Sequence, residues 1–139
     1  MATTKTITTW LQDEEFESAH EGNKIKVDGN KKNGHGPKAL LLSGLAGCSG
    51  IDVVSILKKQ RVQFSDVTIT VEADQTDEHP KVFKDITITF RMKTAAENED
   101  KVRKAIELSL DKYCGVSAML KKNSAIHYKL ELLNWSYAV

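Results

Sequence analysis

Hydrophobic and polar residues alternate along several short stretches of this chain, with the period of two that is typical of β-strands. The N-terminal segment KTITTWLQDEEFESAHEGNKIKVDG is rich in threonine and β-branched residues, and we expect two or three strands there, ending at the turn Asp28-Gly29. The segments DVTITVEAD and KDITITFRMK place their apolar side chains on one face and predict a hairpin, joined by the charged loop QTDEHPKVF. The alternating segment AIHYKLELL predicts a closing strand.

A long apolar stretch, Ala39 to Leu57, has apolar residues on nearly every side of a helix. Pro37 suits the first helical position because its missing N–H is not needed there. The stretch approaches the length that spans a membrane, but Asp52 at its centre would be costly in lipid, so we expect a helix buried in a core. Three glycines each weaken this helix by about 1 kcal/mol relative to alanine, and we expect another helix to approach closely where they lie. They are Gly44, Gly47 and Gly50.

A second helix is predicted after the hairpin. The sequence Thr94-Ala95-Ala96-Glu97 is typical of a capping box, in which the threonine and glutamate side chains satisfy free N–H groups at the helix start. The apolar stripe of this helix holds Val102, Ile106, Ser109 and Tyr113. The order of elements is then β-β(-β)-α-β-β-α-β, which favours an α+β fold over a doubly wound sheet.

Length and composition limit the class of protein. The 139 residues suit a single domain over 1–139, and the net charge of +1 argues against nucleic-acid binding. The N-terminus lacks the apolar core of a signal peptide, so we expect a cytoplasmic protein with no membrane segment. A reducing compartment keeps cysteines as thiols, which argues against a permanent structural disulfide.

The two cysteines, Cys48 and Cys114, are the main candidates for chemistry. Free cysteines are often buried packing residues, and the residues alone leave that interpretation open. If the two helices pack together the thiols could meet, and a disulfide would need Cα atoms within about 7 Å. The four histidines are scattered and no C-x-x-C pair or phosphate-binding loop occurs, so neither a metal nor a cofactor is predicted.

The segments GPKALLLSGLAGCSGIDVVSIL and DKYCGVSAML resemble the first-cysteine and second-cysteine motifs of the OsmC/Ohr family. The likeness extends from about Thr6 to Leu133 and is greatest to the OsmC-like branch that carries a GCSGIDVV stretch. The resemblance implies an OsmC-like α+β fold, with an antiparallel sheet and two long helices, in an intertwined homodimer. It also implies an active site at the dimer interface, and helices that cross there would need the three glycines.

By this resemblance, the protein is a thiol-dependent peroxidase that reduces organic hydroperoxides. Cys48 would be the peroxidatic thiol, which becomes a sulfenic acid, and Cys114 the resolving thiol, which converts that acid into a disulfide. A small dithiol of the lipoyl kind would reduce the disulfide by exchange. Neither a nucleic acid nor a membrane is expected as a partner.

The peroxidases of the family place a glutamate nine or ten residues before the first cysteine and pair it with an N-terminal arginine. Here Ala39 and Lys38 stand at those positions, and no arginine precedes Arg61. Lys38 is one substitute cation, although it lies about 15 Å from Cys48 if both are on one helix. His35, in the preceding loop, and Arg61 are two others. The residue that activates the first cysteine is therefore not identified by the resemblance.

Asp52 lies one turn after Cys48, and we expect it to support the site rather than to activate the cysteine, because a nearby carboxylate disfavours a thiolate. The missing glutamate–arginine pair leaves a second interpretation open, a non-enzymatic dimer of the same fold that binds a small apolar or electrophilic ligand. A thiol redox sensor using the same cysteines is a third. The retained pair of cysteines favours the peroxidase.

Overall fold

The structure, a computed structural model, describes residues 2–134 of the chain. Its contacts divide the chain into two compact units, with the boundary between Leu42 and Ser43. This boundary lies inside the first helix, α1 (Pro37–Lys59), which begins in the N-terminal unit and continues in the C-terminal unit. Each unit contains one three-stranded sheet. The expectation of a single domain over 1–139 stays a prediction.

Three antiparallel strands form the N-terminal sheet, as the alternating pattern predicted. In sheet order they are β1 (Ile7–Gln12), β2 (Glu15–His20) and β3 (Asn23–Asp28). The buried carboxylate of Asp28 accepts the backbone N–H groups of Asn30, Lys32 and Asn33 at 2.8, 3.1 and 3.0 Å. These hydrogen bonds, led by that of Asn33, hold the pKa of Asp28 below its usual value and shape the loop that leads to α1.

The C-terminal unit holds the second sheet, in the order β4-β5-β6. Strands β4 (Phe64–Gln75) and β5 (Phe83–Thr94) form the predicted antiparallel hairpin, whereas β6 (Ala125–Asn134) pairs with β5 in parallel. The expectation of an antiparallel sheet is therefore wrong for this pair. Helical segments connect β5 to β6 and carry the chain back along the sheet, and such a crossover produces parallel pairing.

Strand β5 is central in this sheet and supplies much of the core. As the period of two predicted, its buried apolar residues are Ile86, Ile88, Phe90 and Met92. Helix α1 buries a stripe with four-residue spacing, made of Leu45, Ser49, Val53 and Leu57. Gly50 faces β4, because a Cβ added there would lie 2.8 Å from the Cδ1 atom of Ile69. The helix and the hairpin therefore pack against each other at this glycine.

Another side of α1 is left uncovered by residues 2–134. Among the described residues, α1 is the one helix long and apolar enough to cross a membrane by length and composition, and 22% of its apolar window is buried. Ile51 is 72% exposed, and a Cβ added at Gly44 or Gly47 would meet nothing within 4 Å. The expectation of a helix buried on all sides is therefore wrong for the single chain.

The expected second long helix is divided into shorter segments. A 3₁₀ turn (Ala96–Asn98) leads into α2 (Glu99–Leu108), a π-helical turn (Ser109–Tyr113) follows, and α3 (Gly115–Leu120) completes the crossover. A π turn widens the helical path and shifts the phase of the residues that follow. Tyr113, which was expected on the buried stripe, is therefore 55% exposed.

The predicted capping box is also wrong. The hydroxyl of Thr94 donates to the carbonyl oxygen of Gln63 at 2.7 Å and accepts from the side-chain amide of Asn98 at 3.1 Å. No side chain caps the 3₁₀ turn that follows. Because Thr94 ends β5 and is buried, its hydroxyl ties this strand to the residue that precedes β4 instead of capping with Glu97.

Candidate active site

The two cysteines meet in the C-terminal unit. Cys48 lies in the middle of α1 and is half-buried, while Cys114 follows the π turn and is 3% exposed. Both are free thiols, and they lie close enough for a hydrogen-bond interaction with Cys48 to raise the pKa of Cys114. From the sequence, the two thiols could form a pair only if the two helices pack together. The structure brings the two sulfur atoms together without a disulfide.

The backbone around Cys114 fixes the position of its thiol. Its N–H donates to the carbonyl oxygen of Ser109 at 2.7 Å, which closes the π turn. The residue itself is extended and caps α3, where its Sγ atom accepts the backbone N–H of Ser117 at 3.3 Å. Hydrogen bonds therefore hold Cys114 from both sides of the break between the π turn and α3.

Burial is the main cause that raises the pKa of the Cys114 thiol to about 11, and the hydrogen-bond interaction with Cys48 is the second cause in the same direction. The backbone N–H groups of Ser117 and Val116 favour the thiolate, but their effect is smaller. Cys114 is therefore protonated at neutral pH and can donate its S–H to the sulfur atom of Cys48.

A buried hydrogen-bond cluster connects α1 to the π turn beside the thiols. The hydroxyl of Ser109 lies 2.9 Å from the hydroxyl of Ser49 and 2.9 Å from Oδ2 of Asp52. An ionised carboxylate only accepts hydrogen bonds, so Ser109 donates to Asp52 and accepts from Ser49. Asp52 thus has the supporting contact expected from its position, although its role in function stays a prediction.

Sequence reasoning missed Ser49 and Ser109 as parts of the site. Both are fully buried, and each occupies a position of an apolar stripe where a hydrophobic side chain would be ordinary. A buried hydroxyl needs a hydrogen-bond partner, so a serine at such a position is a signal that another polar group lies opposite. Each of these two serines supplies the partner for the other.

Two side chains of the α3 region hold the π turn in place. The carbonyl oxygen of Leu110 accepts the hydroxyl of Ser117 at 2.9 Å and the ammonium of Lys121 at 2.6 Å. Lys121 also forms an ion pair with Asp111 at 3.1 Å. Residues that follow Cys114 thus donate hydrogen bonds to the Leu110 carbonyl of the π turn, which precedes it. These bonds connect the two segments on either side of Cys114.

A cavity of about 480 Å³ opens between α1 and the π turn. Asp52 forms part of its wall, and Tyr113, next to Cys114, forms another part. The remaining lining residues are Ser55, Ile56, Lys59, Gln60 and Leu108. The volume and the mixture of apolar and polar walls suit a small organic molecule.

The other two residues singled out from the sequence lie in the N-terminal unit. His35 is exposed, and its backbone pairs with Lys26 and Asp28 at the end of β3. Lys38 is exposed in the first turn of α1. Their expected part in activating Cys48 stays a prediction. No group of three or more histidine, cysteine or acidic residues able to hold a metal ion occurs among residues 2–134.

The fold and the adjacent thiols define an α+β protein with a two-cysteine site. Residues 28–129 match the family described as OsmC-like protein, and the chain belongs to this family. Protein YhfA of Escherichia coli strain K12 is 34% identical over 127 residues, which cover 89% of this chain and 94% of YhfA. The sequence resemblance is therefore confirmed at the level of the family, while the GCSGIDVV branch stays a prediction.

Solved structures show the same fold. A hypothetical protein from Aquifex aeolicus VF5 superimposes with a TM-score of 0.87 and 27% identity. The superposition covers 98% of this chain and 100% of the Aquifex chain. The organic hydroperoxide resistance protein OhrB of Bacillus subtilis has a TM-score of 0.63 and 17% identity, covering 94% of this chain and 98% of that one. The second likeness concerns the fold alone.

Proposed function

We propose that this protein is a thiol-dependent peroxidase that reduces organic hydroperoxides, and that it works in the cytoplasm. The closeness of the free thiols of Cys48 and Cys114, through which Cys48 raises the pKa of Cys114, is the observation that carries the proposal. A resolving thiol must reach the oxidised sulfur of its partner, and two neighbouring thiols need only a small movement to form a disulfide. Membership of the OsmC-like family supports the same chemistry.

The environments of the two thiols assign their roles. Cys48 is half-buried, so a hydroperoxide can approach its sulfur, whereas Cys114 is 3% exposed and is protected from direct attack. Cys114 also keeps its proton at neutral pH, because its pKa is raised to about 11. We therefore assign Cys48 as the peroxidatic thiol and Cys114 as the resolving thiol.

The reaction then proceeds in three balanced steps. The thiolate of Cys48 attacks the O–O bond of the hydroperoxide and takes the terminal OH to become a sulfenic acid, and the alkoxide that leaves takes a proton from water to become an alcohol. The thiol of Cys114 attacks this sulfur, and the disulfide forms with loss of water. A dithiol, of the lipoyl type in our proposal, reduces the disulfide by exchange and leaves as a cyclic disulfide.

A homodimer is part of the proposal. Helix α1 leaves Ile51 72% exposed and leaves open space beside Gly44 and Gly47, next to the turn that carries Cys48. Apolar surface of this kind on a long helix is stabilised when a second copy covers it. The second copy would also enclose Cys48 and exclude water from the reacting thiol.

Thiol loss after addition of an alkyl hydroperoxide tests the proposal. We expect rapid loss in the wild type and none beyond the background in Cys48→Ser. In Cys114→Ser the first turnover should survive, and a sulfenic acid that a dimedone-type reagent can trap should accumulate. Slow and equal thiol loss in the wild type and in Cys48→Ser would contradict the proposal, as would multiple turnovers of Cys114→Ser with a dithiol.

The cavity supports a second candidate function, the binding of a small apolar or electrophilic ligand without catalysis. Its walls include Ile56, Leu108 and the ring of Tyr113, and it lies beside the cysteines rather than over them. The family glutamate–arginine pair is missing from the sequence, which fits this alternative. A fluorescent apolar probe whose binding is reduced by Ile56→Asp, in a chain that is inert toward hydroperoxides, would support it over the peroxidase.

A further inference from the structure

Ser109 is linked to both segments that carry the cysteines. Its carbonyl oxygen accepts the backbone N–H of Cys114 at 2.7 Å. Its hydroxyl bonds at 2.9 Å to Ser49, the residue that follows Cys48 in α1. The buried Ser109 in the π turn therefore contacts Ser49, the neighbour of Cys48, through its side chain. It contacts Cys114 through its backbone.

Asp52 sets the direction of these hydrogen bonds. Its Oδ2 atom accepts the hydroxyl proton of Ser109 at 2.9 Å, which leaves the lone pairs of the Ser109 oxygen to accept from Ser49. Ser49 and Ser109 are fully buried, so water does not compete for these bonds and a change in either partner leaves a buried polar group unsatisfied. The three residues form one defined arrangement, which we call the serine brace.

We propose that Ser109 is a positioning residue, which holds the Cys48 and Cys114 thiols in register for disulfide formation through the serine brace of Ser49, Asp52 and Ser109. A π turn is often associated with functional sites, and here it turns the carbonyl of Ser109 toward Cys114 while its side chain faces α1. The role of the brace in turnover rests on the proposed peroxidase function, but its effect on the thiol pair does not.

Glutathione measures that effect without a hydroperoxide. Two protein thiols react with one glutathione disulfide to give one protein disulfide and two glutathione thiols, so the two electrons lost by the protein are gained by glutathione. The equilibrium constant has units of concentration and reports how closely the fold holds the thiols together. Some residues stabilise the reduced and the oxidised protein equally. Substitution of such a residue leaves this equilibrium constant unchanged.

We expect Ser109→Ala and Asp52→Ala to lower this constant by about fivefold or more, the factor that one lost hydrogen bond of ordinary strength would give. Asp52→Asn should stay within about twofold of the wild type, because its amide oxygen still accepts the Ser109 hydroxyl. Ser65→Ala, a serine on β4 outside the brace, is the matched control and should leave the constant unchanged. Circular dichroism verifies that each variant is folded.

An unchanged constant in folded Ser109→Ala overturns the proposal, and so does a loss in Asp52→Asn equal to that in Asp52→Ala. If Ser109→Ala does not fold, the comparison of Asp52→Ala with Asp52→Asn decides. A wild-type chain that forms no disulfide with glutathione also overturns it. If the wild type forms the disulfide and the variants behave as expected while hydroperoxides consume no thiol, the proposed peroxidase fails and the positioning role of Ser109 stands.

Discussion

The thiol of Cys114 lies close enough to the thiol of Cys48 for a hydrogen-bond interaction, and Cys114 is buried, with 3% of its surface exposed. Burial and this hydrogen bond both favour its neutral form, and together they raise its pKa to about 11. The contact therefore makes the protonation of Cys114 depend on the accessible Cys48 beside it. The pH dependence of the pair can be predicted from this contact.

In Cys48→Ala, the pKa of Cys114 should fall below about 11 but stay above the ordinary 9.0, since the hydrogen bond is lost while burial, the larger cause, remains. Thiolate absorbance in the ultraviolet, followed during a pH titration, measures the midpoint directly because this variant has one cysteine. A midpoint at or below 9.0 would show that burial is not the main cause. Urea-unfolded protein is the control and should titrate at the ordinary value.

Gly50→Ala should gain little stability on its own, although alanine favours a helix by about 1 kcal/mol over glycine. The new Cβ would lie 2.8 Å from Cδ1 of Ile69 and must displace it. In an Ile69→Val background that atom is absent, so the stabilising effect of Gly50→Ala should appear there. Urea unfolding of the four chains in this double-mutant cycle gives the coupling, and strictly additive effects would contradict the packing of α1 on β4.

Ile51→Glu should dissociate the proposed homodimer, because the charge would enter the apolar surface that the second copy covers. Ile51 is 72% exposed in the single chain, so the substitution should leave the fold of the subunit intact. Val82→Glu, at a 38% exposed residue outside α1, is the control and should remain dimeric. Sedimentation velocity distinguishes the two states. A monomeric wild type, or a dimer that survives Ile51→Glu, would remove the proposed interface.

Lys121→Met should loosen the segment around Cys114. The ammonium of Lys121 binds the carbonyl oxygen of Leu110 at 2.6 Å and the carboxylate of Asp111 at 3.1 Å. Loss of these bonds at a partly exposed site should cost about 1 kcal/mol, which corresponds to roughly fivefold faster alkylation of Cys114 if the thiol reacts through local opening. The variants are compared in a Cys48→Ala background by mass spectrometry.

Lys122→Met, at the neighbouring exposed lysine, removes the same charge as Lys121→Met and serves as the control. It should alkylate at the rate of its parent chain. Equal acceleration in both variants would point to a general effect of charge, and no acceleration in Lys121→Met would mean that the Leu110 contact does not limit access to Cys114.

The strands could be predicted from the sequence because their burial follows a simple period. In β5 the side chains of Ile88 and Phe90 are fully buried and Thr89 between them is partly exposed, which is the alternation that the sequence displays. The direction of β6 could not be read in this way. A strand has the same pattern whether it runs parallel or antiparallel to its neighbour, so the pairing depends on the path of the chain between the two strands.

The π turn escaped prediction for a different reason. The apolar stripe through Val102 and Ile106 has ordinary helical spacing, and nothing in the residue types marks the point at which the spacing changes. The regular spacing consequently predicts the wrong face for Tyr113, and it predicts a place on the stripe for Ser109 rather than a contact with Asp52. Hydrogen bonds between segments that are distant in the chain determine the position of Tyr113 and the contact of Ser109. Such bonds cannot be read from a single sequence.

Strand β6 lies beside β5 in parallel, and the connection between them contains the π turn and Cys114. A newly synthesised chain therefore cannot complete this sheet until the crossover has been laid down in its final path. Both cysteines therefore precede in the chain the strand that completes this sheet. A polypeptide interrupted before β6 would lack the strand that anchors the end of this crossover beside β5.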